Sequence, residues 1–273
     1  MIKRYSIIFV LIIFFSLSVG YSAVVASCGT VLSTGTHTLT GPITSAGGHC
    51  ISINGANVEL DCQGNSIIGV GTSFGITTTS SSTTIKNCVV SNFSKAMLVT
   101  SDFNNISNNE ITDNVYAMDV TTSDGNNIIS NNLTNNFIGI RLSSSLNNNI
   151  TLNNITNNTH NLYFSAGSAG PFSNTIYNNN LGNISKITYN SLPFWNNNFD
   201  YGGIGNTYYN DTAFSGAHCF DVNNCDNFAN IITFPTQTPT PITPQSTTTS
   251  TTNLPGLGIT SIIIASISIL LFI

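Results

Sequence analysis

Asp119, Arg141 and Tyr163 stand 22 residues apart, with Tyr116 and His160 close by in sequence. A chain that coils with that period would bring an acid, a base and a phenol into one line. Polysaccharide cleavage requires clustered carboxylates, and glycoside hydrolysis requires two of them at a set separation. The remaining acids are scattered, so this line reads first as an ion pair between neighbouring coils. Such a pair is worth about 0.2–1 kcal/mol when exposed. The rings beside it suit stacking on sugar better than they suit catalysis. These three residues are the candidate site. His37, His49, His160 and His218 are dispersed, and two of them merely precede cysteines, in His49-Cys50 and His218-Cys219. Soft transition metals favour clustered His, Met or Cys, so neither a metal site nor a cofactor is expected.

The elements that would position such a line come from a repeat. Ile67, Val89, Ile111, Leu133 and Ile155 recur every 22 residues. Ile76, Leu98, Val120, Leu142 and Phe164 form a second column, Ala96, Met118, Ile140 and Leu162 a third, and Ile106, Ile128 and Ile150 a fourth. A polar column runs between them: Asn65, Asn87, Asn109, Asn131 and Asn153. A shift of four residues extends the pattern to Ile176 and Asn179. A fixed period of this length marks a stacked-coil architecture. Within a copy, Met118 and Val120 alternate with Asp119, and Ile140 and Leu142 alternate with Arg141, as in half-buried strands. Asn, Gly, Ser and Thr fill the turns. The spacing therefore predicts an all-β, parallel β-helix with coils about 4.8 Å apart, an apolar core and an internal ladder of Asn amides. A leucine-rich repeat shares the period, but its L-x-x-L-x-L approach and helical return are absent.

The phrases Asn109-Glu110-Ile111-Thr112-Asp113-Asn114, Asn131-Asn132-Leu133-Thr134-Asn135-Asn136 and Asn153-Asn154-Ile155-Thr156-Asn157-Asn158 resemble the right-handed parallel β-helix repeats of NosD-type proteins. These belong to the carbohydrate-binding and sugar-hydrolase group. Cys50-Ile51-Ser52-Ile53 and Asn57-Val58-Glu59-Leu60-Asp61 are similar to that family's first coils. The resemblance covers roughly residues 28 to 185 and implies the fold. It implies no single activity, because the family mixes enzymes, binding proteins and surface proteins.

Residues 1–26 read as a signal peptide: Lys3 and Arg4, an apolar run from Ile7 to Phe15, then Val24-Val25-Ala26 before a cleavage at Ser27. Val25-Ala26-Ser27-Cys28 also loosely matches a lipoprotein box. Six cysteines in an exported chain suggest disulfides. The preferred pairing is Cys28–Cys50, Cys62–Cys88 and Cys219–Cys225, which staples both ends of a stack that needs caps. Charged residues make up only 6% of the chain and the formal net charge is −5, with no basic patch. Nucleic acid is thereby set aside as a partner. Eight sequons, at Asn92, Asn105, Asn132, Asn149, Asn154, Asn157, Asn183 and Asn210, suggest glycosylation. Alternation points Asn105, Asn132, Asn149 and Asn154 outward.

The β-helix with its N-terminal cap is expected over 27–189, followed by a C-terminal cap over 190–234 in which Phe194, Trp195, Phe199, Tyr201, Tyr208 and Tyr209 plug the last coil or, alternatively, form an aromatic platform that stacks on sugar rings. The segment Gly205-Asn206-Thr207-Tyr208-Tyr209, followed by Cys219-Phe220-Asp221-Val222-Asn223-Asn224-Cys225-Asp226, is similar to the closing segment of archaeal NosD-like proteins. Its acidic run is reduced to Asp221 and Asp226, too few carboxylates for a good calcium site. Residues 235–253 read as a Pro/Thr-rich stalk. Residues 254–273 read as a hydrophobic membrane anchor or sorting tail, which resembles archaeal C-terminal sorting signals and suggests an archaeal host. The expected function is a glycosylated, membrane-attached, cell-surface protein with a structural, adhesive or carbohydrate-binding role. Its partners would be extracellular polysaccharide or envelope proteins. The alternative is a polysaccharide lyase, hydrolase or epimerase.

Overall fold

The computed structural model describes residues 22–165, 173–189, 197–209, 218–221, 224–227 and 229–232. All fall within the unit Met1–Phe234. The residues expected to form the stalk and tail lie outside the described residues, as do most of the expected signal peptide, Asn210, Phe194 and Trp195.

Short strands join neighbouring coils in three parallel sheets of eight, nine and eight strands among the described residues. Face 1 carries Asn105–Ser107, Asn127–Ile129 and Asn149–Thr151, and face 2 carries Glu110–Thr112, Asn132–Thr134 and Asn154–Thr156. Face 3 carries Tyr116–Thr121, Ile138–Ser143 and His160–Ser165. The chain visits the three faces in turn, and parallel crossovers of this kind wind right-handed. The molecule is a right-handed parallel β-helix. Ile106, Ile128 and Ile150 stack inside face 1, and Ile111, Leu133 and Ile155 inside face 2. Met118, Ile140 and Leu162 and then Val120, Leu142 and Phe164 stack inside face 3. All are at most 1% exposed, and each contributes about 1.5–3 kcal/mol of burial.

The 22-residue register holds from Asn105 to Ser165, lengthens to 26 residues where Asn149 pairs with Thr175, and slips before Asn105. Ile76 pairs with Met97 and Met97 with Met118, each 21 residues on. Val90 pairs with Ile111 and Val99 with Val120 at the same interval. Val90, Met97 and Val99 therefore hold the core positions expected of Val89, Ala96 and Leu98, and Ile76 belongs to the Met118 column. Leu98 turns outward, in register with Asp119. A one-residue change in coil length moves a side chain to the opposite face of a strand.

The corners that carry a buried asparagine, from Asn104 to Asn179, are built alike. A residue with positive φ is followed by an asparagine pointing inward. Phe103, Asn108, Asp113, Ser130, Asn135, Asn147, Leu152, Asn157, Ser173 and Asn178 have φ between 54° and 60°. The inward residues form three ladders: Asn104–Asn126–Asn148–Asn174–Asn197, Asn109–Asn131–Asn153–Asn179–Asn206, and Asn114–Asn136–Asn158. In one rung, Asn131 Nδ2 donates to Asn153 Oδ1 at 3.0 Å, to Ile106 O at 2.9 Å and to Ile129 O at 3.2 Å. Its Oδ1 accepts from Asn109 N and Nδ2 at 3.0 and 2.9 Å. The buried amide of Asn131 is thus satisfied within the stack. The expected ladder departs from this at its start. Asn65 Nδ2 donates to Leu39 O and Cys62 O, and Asn87 Nδ2 to Asp61 Oδ1. The rung before Asn109 is Cys88, whose N–H donates to Asn109 Oδ1 at 2.9 Å.

Cys28 is bonded to Cys50 and Cys62 to Cys88, with Cα separations of 4.0 and 4.7 Å. Cys225 is disulfide-bonded, and the register sets Cys219 opposite it.

Candidate functional site

Face 3 carries the candidate line. Leu98, Asp119, Arg141 and Tyr163 are in register on successive strands. A parallel column runs through Phe74, Lys95, Tyr116, Ile138 and His160. The coil period does bring Asp119, Arg141 and Tyr163 together, but not as an exposed trio. Asp119 is 0% exposed. Lys95 Nζ lies 2.7 Å from Asp119 Oδ2, Arg141 Nη1 donates to both carboxylate oxygens at 3.3 Å, and Thr121 Oγ1 donates to Oδ1 at 2.9 Å. Arg141 Nη2 also reaches Ser165 Oγ at 3.3 Å. Lys95 lies 5.3 Å from the Phe74 ring centroid and 5.7 Å from that of Tyr116. A carboxylate whose two oxygens already accept from two cations and a hydroxyl offers no free face to a substrate. This arrangement can clamp three coils together.

Tyr163 packs edge-on to His160 at 5.6 Å, and His160 to Phe137 at 5.4 Å. His160 Nδ1 lies 2.8 Å from Thr188 Oγ1. Lys95 escaped the sequence reading because a 22-residue step from it lands on Ala117, whereas the 21-residue coil sets it beside Tyr116.

A second site takes one ring of the expected aromatic platform, Tyr201, and adds Tyr177, which the sequence did not single out. On face 1, near the end of the stack, Tyr177 and Tyr201 place their ring centroids 5.4 Å apart at an interplanar angle of 47°. They line a groove of about 320 Å³ with Asn147, Asn148, Asn149 and Thr175. Tyr201 is 63% exposed. Of the rings expected to plug the last coil, Phe199 and Tyr208 are buried, and Tyr201 is not. The signal in the sequence was a Gly-Gly pair after Tyr201, which marks a turn rather than a plug.

The family model for NosD, a periplasmic copper-binding protein, matches residues 30–216. The chain belongs to the NosD family. Copper does not fit the donors of this NosD chain among the described residues. No group of three or more His, Cys, Asp and Glu converges there. His37 bonds Thr34 O, and His49 stacks on Phe74 with centroids 4.4 Å apart. Met97 and Met118 are core residues, and Cys28, Cys50, Cys62 and Cys88 are in disulfides. No curated protein matches this NosD chain. Solved structures similar to it include the enzymatically active domain of tailspike protein 2 of bacteriophage CBA120. That likeness has 12% identity and a TM-score of 0.39, across 74% of this chain and 36% of that one. The catalytic domain of a GH87 α-1,3-glucanase in complex with nigerose is similar at 14% identity and a TM-score of 0.35, across 78% and 47%. The NosD chain thus spans between about a third and a half of those chains.

Proposed function

We propose that this NosD-family chain is a glycosylated protein displayed on the cell surface, with a structural, adhesive or carbohydrate-binding role. One observation carries the reading: the seven sequon asparagines among the described residues sit on the outside of a stapled rod. Asn92, Asn105, Asn157 and Asn183 are exposed, and Asn132, Asn149 and Asn154 are half-buried. None of these belongs to an internal ladder, although asparagine fills those ladders. Disulfides in the first coils fit an oxidising compartment, and the family description places its members in the periplasm. The candidate acid Asp119 serves as a clamp, which favours a scaffold over a hydrolase. In this reading the N-terminal apolar segment directs export and residues 235–273 attach the protein to the membrane.

The test is protease shaving of intact cells followed by glycopeptide mapping. Release of β-helix peptides from unbroken cells, with sugar on several of these asparagines, is the expected outcome. Recovery only after lysis, or bare asparagines throughout, would overturn the proposal.

A further inference from the structure

We infer that the groove beside Tyr177 and Tyr201 binds a neutral, pyranose-ring saccharide from outside the chain. The inference rests on the extracellular placement proposed above. A pyranose presents a C–H face that packs on an aromatic ring, while its rim of hydroxyls requires donors and acceptors close by. Binding sites of this kind combine apolar rings with a few placed polar groups, in clefts of about 300 Å³ or more. Here two tyrosines tilted by 47° form a shallow V. Asn147, Asn149 and Thr175 supply amides and a hydroxyl along its rim. No charged side chain lines the groove, so nothing in it would neutralise a uronate or a sulfated sugar.

Tyr201 is held in place before any ligand arrives. Gly202 and Gly203 have φ of 60° and 83°. Tyr201 N–H donates to Ile204 O at 3.0 Å, and Ile204 N–H donates to Tyr201 O at 3.1 Å. Two positive-φ residues between paired ends are the mark of a tight type I′ turn. The approach is tied as well: Asp200 Oδ2 accepts from Asn227 N and Nδ2 at 2.9 and 2.7 Å. Tyr177 stands on the strand Thr175–Tyr177, in register with Thr151. An aromatic ring fixed by its backbone yet 63% exposed loses little further freedom when a sugar lies on it.

The test uses the full-length protein in detergent, made in an export-competent host without N-glycosylation, on an array of neutral and uronate-containing oligosaccharides. Neutral sugars should bind. Tyr201→Ala should weaken that binding about tenfold with an unchanged Tm, and Tyr201→Trp should preserve it. Binding that ignores Tyr201→Ala would overturn the groove assignment and leave the surface-protein reading standing. Absence of binding to any oligosaccharide would overturn it too. If glycopeptide mapping of the native protein finds a sugar on Asn149, and the bare protein binds none, the groove belongs to the chain's own glycan and the inference fails.

Discussion

Asp119 is surrounded by protein although its side chain points away from the core. Burying a carboxylate is costly unless it is paired and hydrogen-bonded, and Lys95, Arg141 and Thr121 meet both conditions. Removing the acid would leave two like charges facing each other, each about a quarter exposed. Asp119→Ala should therefore lower unfolding stability by about 2 kcal/mol, and Lys95→Met by about 1 kcal/mol or less. Denaturant midpoints at constant slope check both. If the two substitutions cost the same, the clamp reading is wrong. The residue scale also sets a pH response. Burial pushes the Asp61 carboxyl up, but the Asn87 amide, the Gln63 N–H and Lys86 outweigh it and hold it below its ordinary value. The hydrogen bond to Glu59 holds Lys86 above its ordinary value. A depressed acid contributes stability that is present above its unfolded pKa, near 3.9, and is lost as pH falls through the folded value. A raised base contributes stability present below about pH 10.4 and lost as pH rises through the folded value. Thermal melts across pH should show both edges, and Lys86→Gln should remove the alkaline edge and weaken the acid one. The alignment of Asp119, Arg141 and Tyr163 was legible in the sequence because their coils keep the 22-residue period. Lys95 was not, because its coil is one residue shorter.

At the scale of the element, the ladders have a direction. Each Asn passes its donors to the next coil and accepts from the one before. A member inside the ladder must do both, while the final member need only accept. In the ladder through Asn109 the final member is Asp226. It is fully buried, and its Oδ2 accepts from Asn206 N and Nδ2 at 2.7 and 3.1 Å and from Tyr208 OH at 3.1 Å. A carboxylate is acceptor-only, so it suits the end and would fail in the middle. Asn131→Asp should set an acid against Ile106 O, Ile129 O and Asn153 Oδ1. The expected cost is about 3 kcal/mol or more. Asp226→Asn keeps an acceptor oxygen and should cost about 1 kcal/mol. Equal losses in chemical denaturation would contradict a directional ladder. The sequence showed one polar column where the structure has three. Asn108-Asn109, Asn135-Asn136, Asn147-Asn148, Asn157-Asn158 and Asn178-Asn179 are pairs in which the first turns the corner and the second is buried. Asparagine suits both tasks, since it tolerates positive φ and its amide both donates and accepts. Residue type alone does not separate the two.

For the whole molecule, the start of the rod depends on residues expected to leave with the signal peptide. Ala23–Val25 is a strand paired with His37, Thr38 and Leu39, and Val25 is buried. Cleavage before Ser27 would uncover Leu39, whereas cleavage after Ser22 keeps the strand and leaves small Gly20 and Ser22 before the cut. N-terminal sequencing of the exported protein should find Ala23 first. Ser27 first would mean that the rod begins one strand later.

A stack of coils is held chiefly between neighbours, so its ends can open without its middle. The two halves of this rod are fastened differently. From Asn104 to Asn158 each corner carries an amide rung. In the preceding coil the equivalent places hold Thr83, Cys88 and Phe93, whose N–H groups donate to Asn104, Asn109 and Asn114. No internal Asn rung joins Cys62 to Cys88, but a disulfide does. Covalent bonds and amide ladders thus take over from one another along the axis. Each disulfide is worth about 3 kcal/mol, while the ladder is untouched by thiols. Mild reduction should therefore open the first coils and leave the laddered coils from Asn104 to Ser165 folded. Hydrogen exchange with and without dithiothreitol should show lost protection across 28–93 and retained protection across 104–165. Protection lost together along the rod would show that the stack unfolds as one unit and that the staples hold all of it.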